Sequence, residues 1–242
     1  MYKYKILSVG GSIIIPKTGF DIEFLKNFRT LILDQVKQGH RFVLTIGGGA
    51  TCRQYQQAVS QVVPMTNEDL DWLGIYSTHF NAQFVRFLFK DAAHHEVITN
   101  PTKKIRTKKP VIIAAGWKPG ASTDIDAVLL AKNFKAKEVF NLSNIDQVYT
   151  ADPVVFADAK PIESIDWKTF RRDIVGDAWE PGKNVPFDPI ASKLAEKLKL
   201  TVSILKGTDL DRLEKALNGE KFLGTLVVPS PSRGGLGRGY SK

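Results

Sequence analysis

The chain has 242 residues, 43% of them hydrophobic, enough to bury one substantial core, and a formal net charge of +9 that attracts anions of every kind. Its single cysteine, Cys52, excludes an intramolecular disulfide, the amino terminus lacks the residue order of a signal peptide, and no apolar run approaches the roughly 20 residues of a membrane helix. A disulfide-stapled secreted protein and a membrane-inserted one are therefore excluded, and one folded unit in a reducing cytosol is expected.

Residues 4–9 are rich in Val, Ile and Leu, the pattern of a short buried strand, and Val9-Gly10-Gly11-Ser12 ends it. Phe24, Leu25, Phe28, Leu31, Ile32 and Val36 then follow the 3.6-residue period of a helix, with Gly39 where a C-terminal cap belongs. A second strand at 41–46 runs into Gly47-Gly48-Gly49, and Arg53 falls on the first turn of the next helix, where a guanidinium can reach phosphate bidentately. Residues 67–89 read as one long helix. The basic run at 103–109 reads as a solvated loop before a strand at 111–115. Helical patterns at 124–134, 188–199 and 210–218 alternate with strands at 138–142 and 201–205. This alternation predicts an α/β fold, a three-layer αβα sandwich around a largely parallel sheet, as a single domain over residues 1–228. The Pro-, Ser-, Gly- and Arg-rich residues 229–242 are too poor in apolar side chains to order and are expected to form a disordered basic tail.

Glycines after the first two strands let a backbone approach phosphate closely, and the helices that follow offer unpaired N–H groups. Such glycines are also the ordinary solution for a tight strand-to-helix turn. Two of these turns at neighbouring strand ends fit ligand binding at the carboxyl edge of an open sheet. There is no G-x-x-x-x-G-K-[ST], and Gly10-Gly11 lacks the third glycine of a dinucleotide fingerprint, so Walker-type ATPases and Rossmann dehydrogenases lose ground. Ser122, Thr123 and Asp124 after a Lys-Pro-Gly turn exceed what helix capping requires, and Tyr149, set among polar groups, suits a purine. His40, His79, His94, His95 and Cys52 show no metal-ligand spacing, and His94-His95 reads as exposed decoration at a helix end.

In this order and spacing, Gly10-Gly11-Ser12, Gly47-Gly48-Gly49 with Arg53, the run Pro119-Gly120-Ala121-Ser122-Thr123-Asp124, and Ser143-Asn144-Ile145-Asp146 with Tyr149-Thr150-Ala151-Asp152-Pro153 resemble the amino-acid kinase superfamily. Within it, the chain is similar to UMP kinases of the archaeal and related bacterial type, over about residues 5–228. The resemblance implies transfer of the γ-phosphoryl group of ATP to UMP, giving UDP in pyrimidine nucleotide biosynthesis, with Mg²⁺ held mainly through the ATP phosphates. It implies a nucleoside monophosphate half at roughly 1–135 and an ATP half at roughly 136–228. By resemblance, Ser8, Val9, Gly10, Gly11, Ser12, Gly49 and Arg53 cradle the ATP phosphates, while Ser143, Asn144, Tyr149 and Asp152 hold its adenine and ribose. Gly48, Asp71, Gly116, Trp117, Lys118, Pro119, Gly120, Ala121, Ser122 and Thr123 match the UMP positions.

Asp124 matches the carboxylate that organises the reacting groups and Asp188 a second active-site aspartate. From its neighbours alone, Asp188 reads as an N-cap before a proline at the first helical position. Many superfamily members carry a lysine where Ser8 stands. Archaeal-type UMP kinases lack it too, which leaves Lys118 or Lys193 to supply that charge. Gln147 stands where the family usually has glycine. The resemblance also implies a homohexamer built from dimers, with the helix at 67–89 as the candidate dimer contact. Alternatives are a catalytically weak nucleotide-binding or storage protein of the same fold, a kinase of another small phosphate or carboxylate, and a nucleic-acid binder acting through the basic surface.

Overall fold

The computed structural model describes residues 3–177 and 185–231. Strand β1 (Tyr4–Val9) leads through the short helix α1 (Gly11–Ile14) to α2 (Ile22–Lys37), β2 (Arg41–Ile46), α3 (Gly49–Val62), α4 (Asn67–Phe89), β3 (Val111–Ala114), α5 (Thr123–Phe134) and β4 (Glu138–Ser143). A small hairpin pairs β5 (Val148–Tyr149) with β6 (Pro161–Ile162). The chain continues with β7 (Ser164–Asp166), α6 (Trp167–Phe170), α7 (Pro189–Lys197), β8 (Thr201–Lys206), α8 (Leu210–Asn218) and β9 (Thr225–Val228).

Seven strands form one sheet in the order β3-β2-β1-β4-β8-β9-β7. All neighbours pair in parallel except β8 with β9. Sequence progress runs outward from β1 through β2 to β3 and then returns to β4 on the other side of β1. That reversal opens a crevice at the carboxyl ends of β1 and β4, where open α/β sheets bind their ligands. One face of the sheet buries Leu7, Leu44, Phe140 and Leu205 against α2, α4 and α8. The other buries Ile6, Val43, Ile112 and Val139 against α5, α6 and α7. This is the expected αβα sandwich.

The expected elements are present, with shifts at their ends. The third strand stops at Ala114, β4 and β8 each gain a residue at their carboxyl ends, and α7 runs only from Pro189 to Lys197. Strands β5, β6, β7 and β9 have no counterpart in the periodicity, because segments of two to four residues are too short for an alternation to register. The basic run at 103–109 is a loop, as read. Residues 232–242, most of the expected tail, lie outside the described residues.

Two sequence readings need correction. His94 is buried, its ring 4.4 Å edge-on from that of exposed His95. Beside it, Ala93 and Ile98 bridge to Val111 and Ala114 of β3, so five steps of chain span three and the excess bulges outward. The bulge brings one ligand atom each from His94, His95 and Glu96 within 4.8 Å, although their spacing had suggested no metal ligands. The cluster lies beside the amino end of β3, away from the crevice.

The two glycine turns interlock. A Cβ on Gly11 would lie 2.0 Å from the Gly49 nitrogen, and one on Gly49, whose φ is +62°, would lie 2.5 Å from the Gly11 carbonyl. Backbone meets backbone here, and neither side can yield. Gly11→Ala should therefore cost more than about 3 kcal/mol in urea unfolding, whereas Gly19→Ala, at φ +93° with no atom within 4 Å, should cost only about 1 to 2 kcal/mol. Equal losses at the two positions would refute the interlock.

Candidate active site

The crevice is floored by a buried polar row across three mostly apolar strands. Ser8 of β1 pairs in register with Thr45 of β2 and Asn141 of β4. Above them stands Asp124, on the first turn of α5. Its Oδ1 accepts from Ser8 Oγ (2.8 Å) and from Asn141 Nδ2 (2.9 Å), and its Oδ2 accepts from the Asp188 backbone N–H (3.2 Å). One carboxylate thus joins β1, β4 and the start of α7 at the point where the strand order reverses. Burial pushes its pKa up to about 6, against the pull of the three donors.

Helix α4 holds the rims. Asn81 Nδ2 donates to the carbonyls of Gly47 (3.0 Å) and Gly48 (2.9 Å). Thr78 Oγ1 accepts from Gly116 N–H (2.8 Å), and His79 Nε2 lies 2.8 Å from the Gly116 carbonyl. Asp71 Oδ2 accepts from Gly120 N–H (2.9 Å). A capping box at Thr66 and Asp69 sets where the helix begins, and hence which side chains face these turns.

Seven of the ten residues expected at the acceptor side share one cavity, and Trp117, Pro119 and Gly120 are not among its lining residues. Gly48, Asp71, Gly116, Lys118, Ala121, Ser122 and Thr123 line a cavity of about 200 Å³. The Lys118 ammonium lies 4.5 Å from the centre of the Trp117 ring. Ser143, Asn144, Tyr149 and Asp152, expected on the adenine side, line a second cavity of about 580 Å³. Gly10 donates its N–H to Leu142 O (3.0 Å) and so ties the first glycine turn to β4. Arg53 is exposed as the fifth residue of α3, one position past the expected first turn, and the N-cap Gly48 supplies no side-chain partner to the helix N–H groups.

Asp188 reaches the site through its backbone, while its Oδ1 accepts from Ile190 (2.7 Å) and Ala191 (2.8 Å) as an N-cap, the reading its neighbours favoured. Lys193 is exposed on α7. Gln147 is absent from the described non-glycine residues with positive φ, which are Lys90, Lys135 and Lys199, so the turn accepts it without left-handed backbone. A larger cavity of about 770 Å³ lies beside Ser12 and is lined by Asp21, Glu23, Asp209, Asp211, Lys206 and Arg212. Four carboxylates against two cations make it a poor receptacle for a triphosphate. Ser8 and Asn141 had a weak signal as polar residues inside apolar strands, whereas Thr78, His79 and Asn81 had none, because a polar residue on a long helix ordinarily faces water.

Asp126, two residues beyond Asp124, is fully buried, and burial pushes its pKa up to about 7. Both aspartates hold their protons more tightly folded than unfolded. The stability this contributes is complete below about pH 4 and is lost as pH rises through about 6 and 7. Asp126→Asn cannot ionise, so its stability relative to the parent should grow between pH 4 and pH 8 by on the order of 4 kcal/mol in chemical denaturation. A difference constant with pH would contradict the buried acid.

The sequence pattern of the amino acid kinase family matches residues 3–206. The uridylate kinase of Sulfolobus acidocaldarius is 32% identical over 211 residues, covering 86% of this chain and 92% of that protein. That of Methanococcus vannielii is 30% identical over 237 residues, covering 93% and 99%. Among solved structures, uridylate kinase from Archaeoglobus fulgidus superposes with a TM-score of 0.78 at 26% identity, over 93% of this chain and 100% of that one. The UMP kinase of Bacillus anthracis, at 20% identity and a TM-score of 0.75, shares the fold. With its doubly wound sheet, its interlocked glycine turns and a match over most of its length, this chain belongs to the amino acid kinase family.

Proposed function

We propose that this protein is a UMP kinase, transferring the γ-phosphoryl group of ATP to UMP to give UDP and ADP. The observation that carries this reading is a pair of cavities, each lined by a residue close in the chain to Asp124 or to its partner Asn141. One is lined by Thr123 beside Asp124, together with Gly48 and Asp71, and the other by Ser143 at the end of the strand that holds Asn141. Relatives at 30% and 32% identity bear the name uridylate kinase, which favours UMP over another phosphate or carboxylate acceptor.

Phosphoryl transfer asks a protein for positioning and charge more than for covalent chemistry. In the proposed arrangement the Gly10, Gly11, Ser12 and Gly49 turns and Arg53 receive the ATP phosphates, and Tyr149 and Asp152 the nucleoside. UMP lies against Asp71 and the 116–123 turn, with Lys118 offsetting the repulsion between two anionic substrates. Magnesium, arriving on the ATP phosphates, would neutralise charge on the moving group. The acceptor phosphate is its own nucleophile, so no protein base is needed. Asp124 holds Ser8, Asn141 and the α7 backbone in fixed relation, which keeps the two halves of the site in register.

Release of ADP, assayed with the four common nucleoside monophosphates, should be fastest with UMP. Tight ATP binding with no turnover on any of them would favour a nucleotide-binding or storage protein instead. Asp124→Asn should lower kcat about 100-fold or more. Because Asp124 titrates near 6, kcat/KM should fall about tenfold for each pH unit below that value.

The outward side of α4 supports assembly. Tyr76, Phe80 and Phe87 are 61%, 74% and 61% exposed, and Trp72 stacks near Tyr76 at 5.9 Å. A row of aromatic rings in water marks a docking face, and we assign it to the dimer contact of a homohexamer in the cytosol. Phe80→Glu should shift sedimentation to a smaller species, and an unchanged coefficient would remove α4 from the interface.

A further inference from the structure

The turn at 116–123 has four side-chain anchors. Three come from α4, through Asp71, Thr78 and His79. The fourth comes from α5, where Asp126 Oδ2 accepts the Trp117 N–H at 3.2 Å. We propose that Asp126 is a positioning residue for the phosphoryl acceptor, holding the Trp117 amide so that the 116–123 turn stays open toward the acceptor cavity. This deepens the UMP kinase reading and rests on it.

Stability does not account for an acid at this place. Asp126 is 0% exposed, and its Oδ1 is a buried atom with no hydrogen-bond partner. The remainder of the buried stripe of α5 is aliphatic, with Ile125, Ala127, Val128, Leu130 and Ala131. A valine would continue that stripe without desolvating a carboxyl, so a carboxyl kept there at a cost serves something other than packing.

The bond it makes supplies that purpose. Gly116 is held on its N–H and its carbonyl, and Gly120 on its N–H, all from the α4 side. Trp117 is the next residue, and Lys118, a lining residue of the acceptor cavity, follows it. Without Asp126 the Trp117 amide loses the one side-chain acceptor the structure gives it, and the peptide between Gly116 and Gly120 is free to rotate. The raised pKa adds a second advantage. Near neutral pH about half of the Asp126 population keeps its proton, so the anchor puts less than a full negative charge behind a site that must hold a phosphate.

The test uses the full chain and its Asp126→Val and Asp126→Asn variants, with two readouts. KM is measured separately for UMP and ATP, and backbone hydrogen exchange is followed over residues 116–122 without substrate. Asp126→Val should raise KM for UMP roughly tenfold, leave KM for ATP within about twofold, and speed exchange of the turn about tenfold, while Asp126→Asn, which keeps an oxygen acceptor, should stay within about threefold of the parent on each. Equal changes in the two KM values, or unchanged KM for UMP and unchanged exchange in Asp126→Val, would overturn the proposal. Should Asp126→Val not fold, Asp126→Ser, whose hydroxyl falls short of the Trp117 amide, is read in the same way. If the parent chain turns over no UMP, the functional reading fails, and the exchange measurement still decides whether Asp126 holds the turn.

Discussion

Backbone contact between the turns after β1 and β2 is the constraint from which the site follows. Gly11 and Gly49 approach so closely that neither has space for a methyl group, and Ala50 N–H donates to Ile15 O (3.1 Å) across the same junction. With the turns locked together, α1 and α3 leave the sheet in fixed directions and the crevice beside β1 has a rigid wall. The glycines that resembled phosphate-binding loops therefore have a second reason to be glycine. The two reasons reinforce each other, since a turn that cannot move is one whose N–H groups stay aimed.

Helix α4 acts on both sides of its own cylinder. Its inner residues Asp71, Thr78, His79 and Asn81 hold the second glycine turn and the 116–123 turn by backbone bonds. Its outer residues Trp72, Tyr76, Phe80 and Phe87 face water. Tyr76 and His79 meet edge to face at 6.0 Å, so the outer row touches the inner set. Contacts made on the aromatic face are thereby one side chain away from the Gly116 carbonyl.

The electrostatics of the cleft are set by burial more than by pairing. Asp124 and Asp126 are both pushed upward by desolvation, with a smaller upward push on Asp124 from Asp188 and on Asp126 from Asp124. Asp124 offsets part of that cost with three donors, whereas Asp126 has only the Trp117 amide. A protein with net charge +9 could have placed a cation beside either carboxylate, and no ion pair to either occurs among the described residues. The cations nearest the proposed ligands, Lys118 in the acceptor cavity and exposed Arg53 on α3, lie at the rim, where they can meet anionic ligands.

The sequence by itself determined the layers, the long helix and the place of the turns. The apolar runs at 4–9, 41–46 and 138–142 are long enough, and bounded sharply enough by Gly10, Gly47 and polar Ser143, to be read without contacts. Local chemistry also settled Asp188 as an N-cap, since the Asp-Pro pair carries that geometry in two residues. Only the tertiary structure decided that Asp124 bridges Ser8 and Asn141, that Asn81 and Thr78 face inward to hold glycine turns, that His94 is buried, and that β9 runs antiparallel. These facts join residues 17 to 116 positions apart or concern four-residue strands. Periodicity reports which side of an element is apolar, but a buried polar residue breaks that pattern without naming its partner. The partner is chosen by packing between elements, which no local pattern encodes.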